Sequence, residues 1–537
     1  MSVSRLLVAL TSVLALAAGL APALLADQSR SSPAVAAAAA DPRPNIVLVV
    51  TDDMRDDDLR FTPYIAKFFA RRGVRFHNSF SNNPLCCPAR ASILSGKYSH
   101  NHKVVWHEAP WGFGAFDDSR TIATALKQSG YRTGYVGKYL NGYGKMRSRV
   151  TGRDSTRYVP AGWDQWRASL DKNSAGVPGG TYHYFDTTLN VNGTVVRNKG
   201  HYSTTLLGRH ARDVVSRLSG NQPFFLHLST VAPHHGGPRE PDDPRMLKGF
   251  TPARPDGVKG RFDKVLRKSP GTPAFGVSPE KDVSDKPWPI RSLPDLTPEA
   301  HRAVRTLARQ RAESLFVVDR EFKRLVAHVT ASGELDNTVF LFTSDNGNFL
   351  GEHRKLAGKV LPYEPSFRVP MLMSVPGGLT AKRYGPVTTV DLAATVLDLA
   401  GAGEAMPGRI DGRSFLGMAT GPDRPWSSPV IYESRVQSMR RGTGGALTAR
   451  GLRTSRYKFV AYNNGKRELY DLRKDPHELR NLVWGGRRHP VATRLARLNK
   501  RYSRCVGQEC RARLPKSLRA STRTARGDYR RWASAAW

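Results

Sequence analysis

The sequence has 537 residues, of which 39% are hydrophobic and 24% are charged, a balance typical of a folded globular protein rather than a disordered chain. Its formal net charge of +38 favours polyanionic partners, because a positive field concentrates acidic molecules around the protein. No basic–aromatic nucleic-acid-binding module occurs along the chain, so we expect no nucleic-acid partner.

The N-terminus has the pattern of an export signal. Arg5 precedes an apolar run at residues 6–25, and small residues at 36–40 follow it. Polar and helix-breaking residues interrupt the run, which favours a cleaved signal over its alternative, a retained membrane helix. We therefore expect a secreted or cell-surface protein that has no stable membrane span after signal cleavage.

Three continuous apolar runs predict buried strands, and polar side chains follow each of them. The runs and the polar residues after them are 45–50 with Asp52 and Asp53, 224–228 with His234, and 338–342 with Asp345 and Asn346. Amphipathic helical patterns between the runs, such as 61–69 and 315–329, predict an α/β fold with a mainly parallel sheet. Ligands collect at the carboxyl ends of such strands, where these polar residues lie.

The later part of the chain is organised differently. Residues 236–297 are rich in proline, glycine and charge, which predicts a long irregular surface segment. Short strand-like pieces around Asn463-Asn464-Gly465 predict a hairpin in a small C-terminal α+β domain. The predicted organisation is a signal and Ala-rich segment at 1–40, a catalytic domain at 41–425, a small domain at 426–515 and a solvated basic tail at 516–537.

The most specific motif runs from Cys86 to Lys97 and reads CCPARASILSGK. It resembles the signature of the formylglycine-dependent sulfatases, in which Cys-x-Pro-x-Arg precedes a glycine-containing helix. The alternative, that Cys86 is a buried structural thiol, is the common fate of a lone cysteine. The resemblance implies an alkaline-phosphatase-like fold, with a large, mixed but mostly parallel sheet sandwiched by helices.

The resemblance also implies that a formylglycine-generating enzyme oxidises Cys86 to an aldehyde. The hydrated aldehyde carries two hydroxyls, one of which attacks sulfur to form a covalent sulfate ester. The second then loses its proton, and the aldehyde re-forms as sulfate leaves. A plain serine or cysteine cannot perform that second step. Arg90 is expected to hold the aldehyde hydrate and the anionic charge of the site.

The acidic residues after the first and third predicted strands are candidate metal ligands. Asp52, Asp53, Asp345 and Asn346 offer hard oxygen atoms, which suit Ca²⁺, or alternatively Mg²⁺, better than zinc. In the family such residues hold the cation beside the modified cysteine, here Cys86. Taken alone, each of these short acidic motifs is typical of a turn or a helix cap.

Three further side chains match family positions that bind sulfate. Lys138, Lys359 and His234 resemble the two lysines and the histidine that contact the sulfuryl group, and His234 or Lys359 is a candidate proton donor to the leaving alcohol. His235 is a competing candidate beside His234. Many arylsulfatases have a histidine where this chain reads KYLNG, and Asn141 is our candidate to replace part of its hydrogen bonding.

Other segments resemble one branch of the family. The motifs GKYSHNH, KYLN and CVGQECR are similar to N-acetylglucosamine-6-sulfatases and heparan endosulfatases, which implies a disulfide between Cys505 and Cys510. His100, His102 and His107 are expected to lie near the rim of the active site, where they could contact sugar. A zinc site formed by the three histidines is the alternative.

The sequence thus predicts an exported hydrolase of sulfate monoesters, whose substrate is a sulfated glycan that contains glucosamine. One alternative is a phosphodiesterase or phosphonate monoester hydrolase of the same superfamily. A more distant alternative is a non-catalytic protein that binds polyanions.

Overall fold

The computed structural model describes residues 41–171, 177–266, 280–406, 409–436 and 446–536. The predicted signal at 1–40 lies outside the described residues. The strands are β1 (Asn45–Thr51), β2 (Gly73–Phe76), β3 (Ser79–Phe80), β4 (Arg132–Lys138), β5 (Gln165–Ser169), β6 (Asp186–Val191), β7 (Thr194–Lys199), β8 (Phe224–Ser229), β9 (Thr338–Ser344), β10 (Met371–Ser374), β11 (Ala381–Arg383), β12 (Val387–Thr388), β13 (Val430–Val436), β14 (Leu447–Arg453), β15 (Tyr457–Tyr462) and β16 (Arg467–Asp471). The helices are α1 (Pro63–Arg72), α2 (Cys86–Ser95), α3 (Ser99–His102), α4 (Ile122–Gln128), α5 (Ser203–Leu218), α6 (Trp288–Arg291), α7 (Pro298–Ala331), α8 (Glu364–Phe367), α9 (Asp391–Leu399), α10 (Leu416–Thr420), α11 (Pro490–Tyr502) and α12 (Thr522–Ala536).

The large sheet has ten strands in the order β11-β2-β10-β9-β1-β8-β4-β5-β6-β7. Its centre, from β9 to β5, is parallel, and antiparallel pairs of β10 with β9 and of β6 with β5 extend it on each side. The predicted α/β class and mixed, mostly parallel sheet are therefore confirmed. The carboxyl ends of β1, β4, β8 and β9 meet at one edge, as parallel strands require.

Helices cover both faces of this sheet. In β1, the side chains of Ile46, Leu48 and Val50 enter one core, and those of Val47 and Val49 enter the other, because successive residues of a strand point to opposite faces. The first core includes residues of α2, α4 and α9, and the second includes residues of α1, α5 and α7. Burial on both faces explains why these strands read as continuous apolar runs.

A second, antiparallel sheet, β13-β14-β15-β16, forms the small C-terminal domain. The predicted hairpin is present, since β15 pairs with β16 and the amide of Tyr462 donates to the carbonyl of Lys466 at 3.0 Å across the turn. The described parts of 236–297 contain only short 3₁₀ turns and the single-turn helix α6, as the sequence predicts.

The C-terminal segment differs from the expected solvated extension. Residues 522–536 form helix α12, and the Asp528 carboxylate is buried between Arg473, whose Nε lies 2.8 Å away, and Ser455, whose hydroxyl donates at 2.6 Å. The ring of Tyr529 packs against that of His77 at 4.5 Å. The basic residues of this helix thus lie beside a polar and aromatic face that docks on the core.

His77 leads to a prediction about acid stability. Burial, with Arg75, Lys382 and Arg368 nearby, lowers the pKa of His77 to about 3, whereas an exposed histidine titrates near pH 6.5. Below pH 6.5 the unfolded chain therefore binds a proton that the folded protein does not bind, and stability falls as the pH falls towards 3.

Between pH 6.5 and 5, we expect the protein with His77→Phe, which keeps an aromatic ring in this pocket, to lose less stability than the unsubstituted protein. The expected difference in the free energy of unfolding is roughly 2 kcal/mol. Urea unfolding of both proteins at the two pH values measures the difference. His102, whose pKa burial also lowers to about 3, stays in both proteins and serves as an internal reference. Equal pH dependence in the two proteins would contradict this account.

Candidate active site

The predicted site residues come from five separated segments, and the fold brings them to one edge of the sheet. Asp52 and Asp53 follow β1, Asp345 and Asn346 follow β9, and Lys138 ends β4. His234 follows β8, Lys359 lies in the loop after β9, and Cys86 and Arg90 belong to α2. All nine side chains lie in or beside one buried group of ion pairs, formed by Arg90 with Asp345, Lys138 with Asp52 and Lys359 with Asp53.

Cys86 lies at the first turn of α2, where backbone N–H groups and the helix dipole favour negative charge. The residue is only 3% exposed, and its Sγ lies 3.3 Å from Asn141 Oδ1. Burial raises the pKa of the Cys86 thiol, which keeps it protonated at neutral pH. The thiol marks the place of the formylglycine hydroxyls that the motif implies.

Arg90, one helical turn after Cys86, connects three of the strand ends. Its Nε donates to Asp345 Oδ2 at 2.7 Å, and its Nη1 donates to the Lys138 carbonyl at 2.9 Å and to the Ser229 hydroxyl. Its Nη2 lies 3.6 Å from Asp52 Oδ2 and has no hydrogen-bond partner. Arg90 thereby holds the helix in register with β4, β8 and β9.

Two buried lysines face the first two aspartates. Lys138 Nζ pairs with Asp52 Oδ2, and Lys359 Nζ pairs with Asp53 Oδ1 and lies 3.8 Å from Asp52 Oδ1. Burial acts to lower the pKa of Lys138, but Asp52 raises it well above its ordinary value, so the ammonium stays charged. Burial acts to raise the pKa of Asp52, but Lys138, His234 and Lys359 hold it well below its ordinary value.

The residue before Lys138 lies close against the backbone of β8. The preceding residue, Gly137, has φ of 109°, and a Cβ there would lie 1.9 Å from the Ser229 carbonyl oxygen. Only glycine fits this position without a backbone shift. Strand β4 is not among the three strands that the apolar runs predict, so the sequence pattern alone does not indicate this position.

Asp53 has a left-handed backbone with φ of 70°, which is uncommon for a residue with a side chain. Its amide donates to Asp345 Oδ1 at 3.2 Å, and its carbonyl accepts from Arg311 Nη2 at 2.6 Å. Arg311, on α7, also donates to the Asp58 carboxylate at 2.9 Å. Sequence patterns did not single out Arg311, because only the long-range contact shows its role.

His234 follows a cis Ala232–Pro233 bond, and its Nε2 lies 3.8 Å from Asp53 Oδ2. Burial, with His235 and Lys359 nearby, lowers the pKa of His234 well below its ordinary value. Its Nδ1 is 2.7 Å from the His235 carbonyl, and its ring lies 4.8 Å from that of Tyr182. Tyr182 is a second residue that the sequence did not indicate: its hydroxyl accepts from Asn141 Nδ2 at 2.6 Å.

The carboxylates fit a hard divalent cation. Asp52 Oδ1 and Asn346 Oδ1 are buried oxygens without a hydrogen-bond partner, and such orphaned acceptors are costly unless a ligand satisfies them. One ligand atom from each of Asp52, Cys86 and Asp345 lies within 4.8 Å of the others. Asp53, His234 and His235 form a second such group, but His234 Nδ1 is already bonded to a carbonyl. The oxygen-rich group therefore fits Ca²⁺ or Mg²⁺ better than zinc.

The remaining predicted residues lie elsewhere. A disulfide joins Cys505 to Cys510, with a Cα–Cα distance of 5.1 Å. His100 Nδ1 is 2.9 Å from the Glu433 carboxylate, and His102 Nε2 is 2.9 Å from the Ser92 hydroxyl. These two histidines are committed to protein partners, which disfavours the zinc alternative.

Comparison with known proteins decides the family. A family model described as Sulfatase matches residues 44–402, about two thirds of the chain, and a model described as N-sulphoglucosamine sulphohydrolase, C-terminal, matches residues 351–503. The chain is a member of the sulfatase family. The two matches overlap over residues 351–402, which include strands β10 and β11 of the large sheet of this sulfatase.

Two sulfatases from animals are similar to this one over much of the chain. An extracellular sulfatase SULF-1 homolog from Drosophila melanogaster is 32% identical over 73% of this sulfatase and 33% of its own length. N-acetylglucosamine-6-sulfatase from Homo sapiens is 31% identical over 73% of this chain and 67% of its own length. This sulfatase thus spans about a third of the first relative and about two thirds of the second.

A solved structure supports the fold. A protein crystallised with its substrate D-glucosamine-2-N,6-O-disulfate superposes with a TM-score of 0.63 and 22% identity, over 87% of this sulfatase and 98% of that chain. In the described residues of this sulfatase, no helix has the length and apolar character needed to cross a membrane.

Proposed function

We propose that this sulfatase hydrolyses sulfate monoesters on glucosamine units of a sulfated glycan, with Cys86 matured to formylglycine. The observation that carries the proposal is the position of Cys86, at a helix N-terminus within a buried group of three cationic and three carboxylate side chains. The names of the similar glucosamine sulfatases and the ligand of the similar structure support the choice of sugar.

Each group has a role in the proposed reaction. The aldehyde supplies, as its hydrate, one hydroxyl that attacks sulfur and a second that permits release of sulfate. Asp52, Asp53, Asp345 and Asn346 would hold a divalent cation, which would supply Lewis-acid polarisation of a sulfate oxygen. Lys138 and Arg90 are charged groups that stabilise the negative charge on the sulfuryl oxygens as the ester bond breaks.

The leaving alcohol needs a proton. Lys359 and His234 lie on the Asp53 side of the site, and both are our candidates for this donor. Single substitutions of Lys359 and of His234 can identify the donor, because an aryl sulfate with a good leaving group needs no proton and a sugar sulfate does. The residue whose loss harms sugar sulfates far more than aryl sulfates is the donor.

The expected substrate preference gives a direct test. We expect purified, matured enzyme to release sulfate from N-acetylglucosamine 6-sulfate or from a heparin-derived oligosaccharide, and to hydrolyse an aryl phosphate and an aryl phosphonate far more slowly. Ion chromatography of the released sulfate measures the two sulfate substrates, and absorbance of the released phenol measures the aryl phosphate and the aryl phosphonate. Faster phosphonate than sulfate turnover would replace this proposal with a phosphonate monoester hydrolase, and turnover of none of the four would favour a polyanion-binding protein.

Export and maturation belong to the same proposal. A signal in residues 1–40 directs the chain out of the cell, where sulfated glycans lie, and a formylglycine-generating enzyme acts on Cys86. The names of extracellular relatives support this location. N-terminal sequencing of protein from the culture medium tests it, since an intact Met1 there would contradict signal cleavage.

A further inference from the structure

A groove of about 550 Å³ lies on the C-terminal domain, between the β15–β16 turn and the start of α11. None of its lining residues is used by the proposed active site. Its cationic and aromatic lining residues are Lys466, Arg467, Trp484, Arg487, Arg488 and His489.

The groove is lined by positive charges that no carboxylate of the described residues neutralises. The lining contains no aspartate or glutamate, and Lys466, Arg467, Arg487 and Arg488 are all exposed. Among the described residues, no carboxylate forms an ion pair with any of these four side chains. Four exposed cations without a carboxylate partner therefore surround one concave surface, which suits an anionic ligand.

Trp484 lines the groove together with these cations. The Nζ of Lys466 lies 5.2 Å from its ring centre, and the guanidinium of Arg291 lies 5.4 Å from it. Gly485 and Gly486 follow it with φ of 69° and 81°, and a Cβ at either would meet open space. Trp484 thus holds two cations against its ring, and the open backbone beside it leaves room for a sugar unit, whose sulfate groups the arginines can bind with two parallel hydrogen bonds.

A second cavity has lining residues near both the groove and the active site. Arg291, which contacts Trp484, precedes Leu293 and Leu296, which line a second cavity of about 350 Å³. Phe250 lines the same cavity, and its ring lies 4.6 Å from that of His235, beside His234. These contacts run from Trp484, through Arg291 and the second cavity, towards His235.

We propose that this groove, defined by Lys466, Trp484, Arg487 and Arg488, is a second binding site for a sulfated glycan chain. The proposal rests on the proposed function in its choice of ligand. The groove holds one part of the chain while another unit occupies the active site, so it raises the affinity for polymers and leaves the reaction of a single sugar unchanged.

The test compares one double variant with a matched control. Arg487→Ala/Arg488→Ala removes two positive charges from the groove, and Lys67→Ala/Arg71→Ala removes two from the exposed face of α1. Trp484→Ala tests the aromatic surface separately. Calorimetry with a size-defined heparin oligosaccharide measures binding, and KM is measured for heparin and for N-acetylglucosamine 6-sulfate.

We expect the groove variant to bind heparin about tenfold more weakly than the α1 control, with a shallower dependence on salt. Its KM for heparin rises, and its kinetics on the monosaccharide stay unchanged. Equal heparin affinity of the groove variant and the control would overturn the proposal. Equally tight binding of single-stranded DNA would replace the glycan with a general polyanion.

The two proposals fail separately. Binding to heparin does not need turnover, so a protein without sulfatase activity whose heparin binding depends on Arg487 and Arg488 would disprove the proposed function and keep the groove. If the protein hydrolyses the monosaccharide and its heparin binding does not depend on Arg487 and Arg488, the proposed function stands and the groove proposal is disproved.

Discussion

Cys86→Ala abolishes sulfate ester hydrolysis, with an expected loss on the order of 10⁴-fold or more, because removal of a nucleophile leaves only the binding and charge stabilisation of the site. The fold is retained, since the side chain is small and lies at the start of a helix. Sulfate release measures the loss, and mass spectrometry of the peptide around residue 86 in the unsubstituted protein shows an aldehyde in place of the thiol. Full turnover by the alanine variant would contradict the mechanism.

Two controls sharpen this prediction. Cys87→Ala removes the neighbouring thiol, which is fully buried and lies 3.9 Å from the Asn141 carbonyl, and we expect it to lower stability and keep activity. Cys86→Ser supplies a hydroxyl without its geminal partner, so we expect it to take up one sulfuryl group and stop. Intact-mass measurement after incubation with substrate detects that adduct, and repeated turnover by the serine variant would contradict the need for an aldehyde.

Asp345→Asn is expected to lower turnover by at least about 10²-fold, because it removes the charge opposite Arg90 and one oxygen ligand of the proposed cation. The same substitution removes the response of stability to the metal. For the unsubstituted protein, a cation at about 1,000 times its Kd adds about 4 kcal/mol of stability. Thermal unfolding with chelator, Ca²⁺ and Mg²⁺ therefore measures the site without a substrate.

Asp58→Asn is the matched control for this change. Asp58 is buried close to the same strand end, but its carboxylate accepts from Arg311 and from the Arg55 amide at 3.1 Å. We expect this variant to be less stable and to keep its response to the cation. A stability increase with cation that survives Asp345→Asn would place the metal elsewhere.

The sequence predicts the central part of this fold well, for a physical reason. Strands buried on both faces, such as β1 and β9, have few polar positions, so their apolar runs and the acidic residues after them are easy to identify. The meeting of Asp52 and Asp345 at one edge follows from the parallel arrangement. Lys138, by contrast, was indicated only by resemblance, because a single lysine at a strand end has no distinctive pattern.

The parts that the sequence did not predict depend on distant partners. The charge of α12 suggests a solvated segment, and its docking becomes clear only when Asp528 meets Arg473 and Tyr529 meets His77. Arg311 is likewise an ordinary basic residue of an amphipathic helix until its contact with the Asp53 carbonyl is known. Long-range pairs of polar residues leave no periodic signal in a single sequence.

The burial of α2 has a consequence for how active protein arises. All ten residues of this helix are buried, so the folded molecule offers an oxidising enzyme no access to the thiol at its start. Under the proposed maturation, Cys86 would therefore be oxidised between synthesis and folding. A purified protein with a single fold could then contain both the thiol and the aldehyde form of residue 86. Its specific activity would depend on the fraction of chains that were oxidised before they folded.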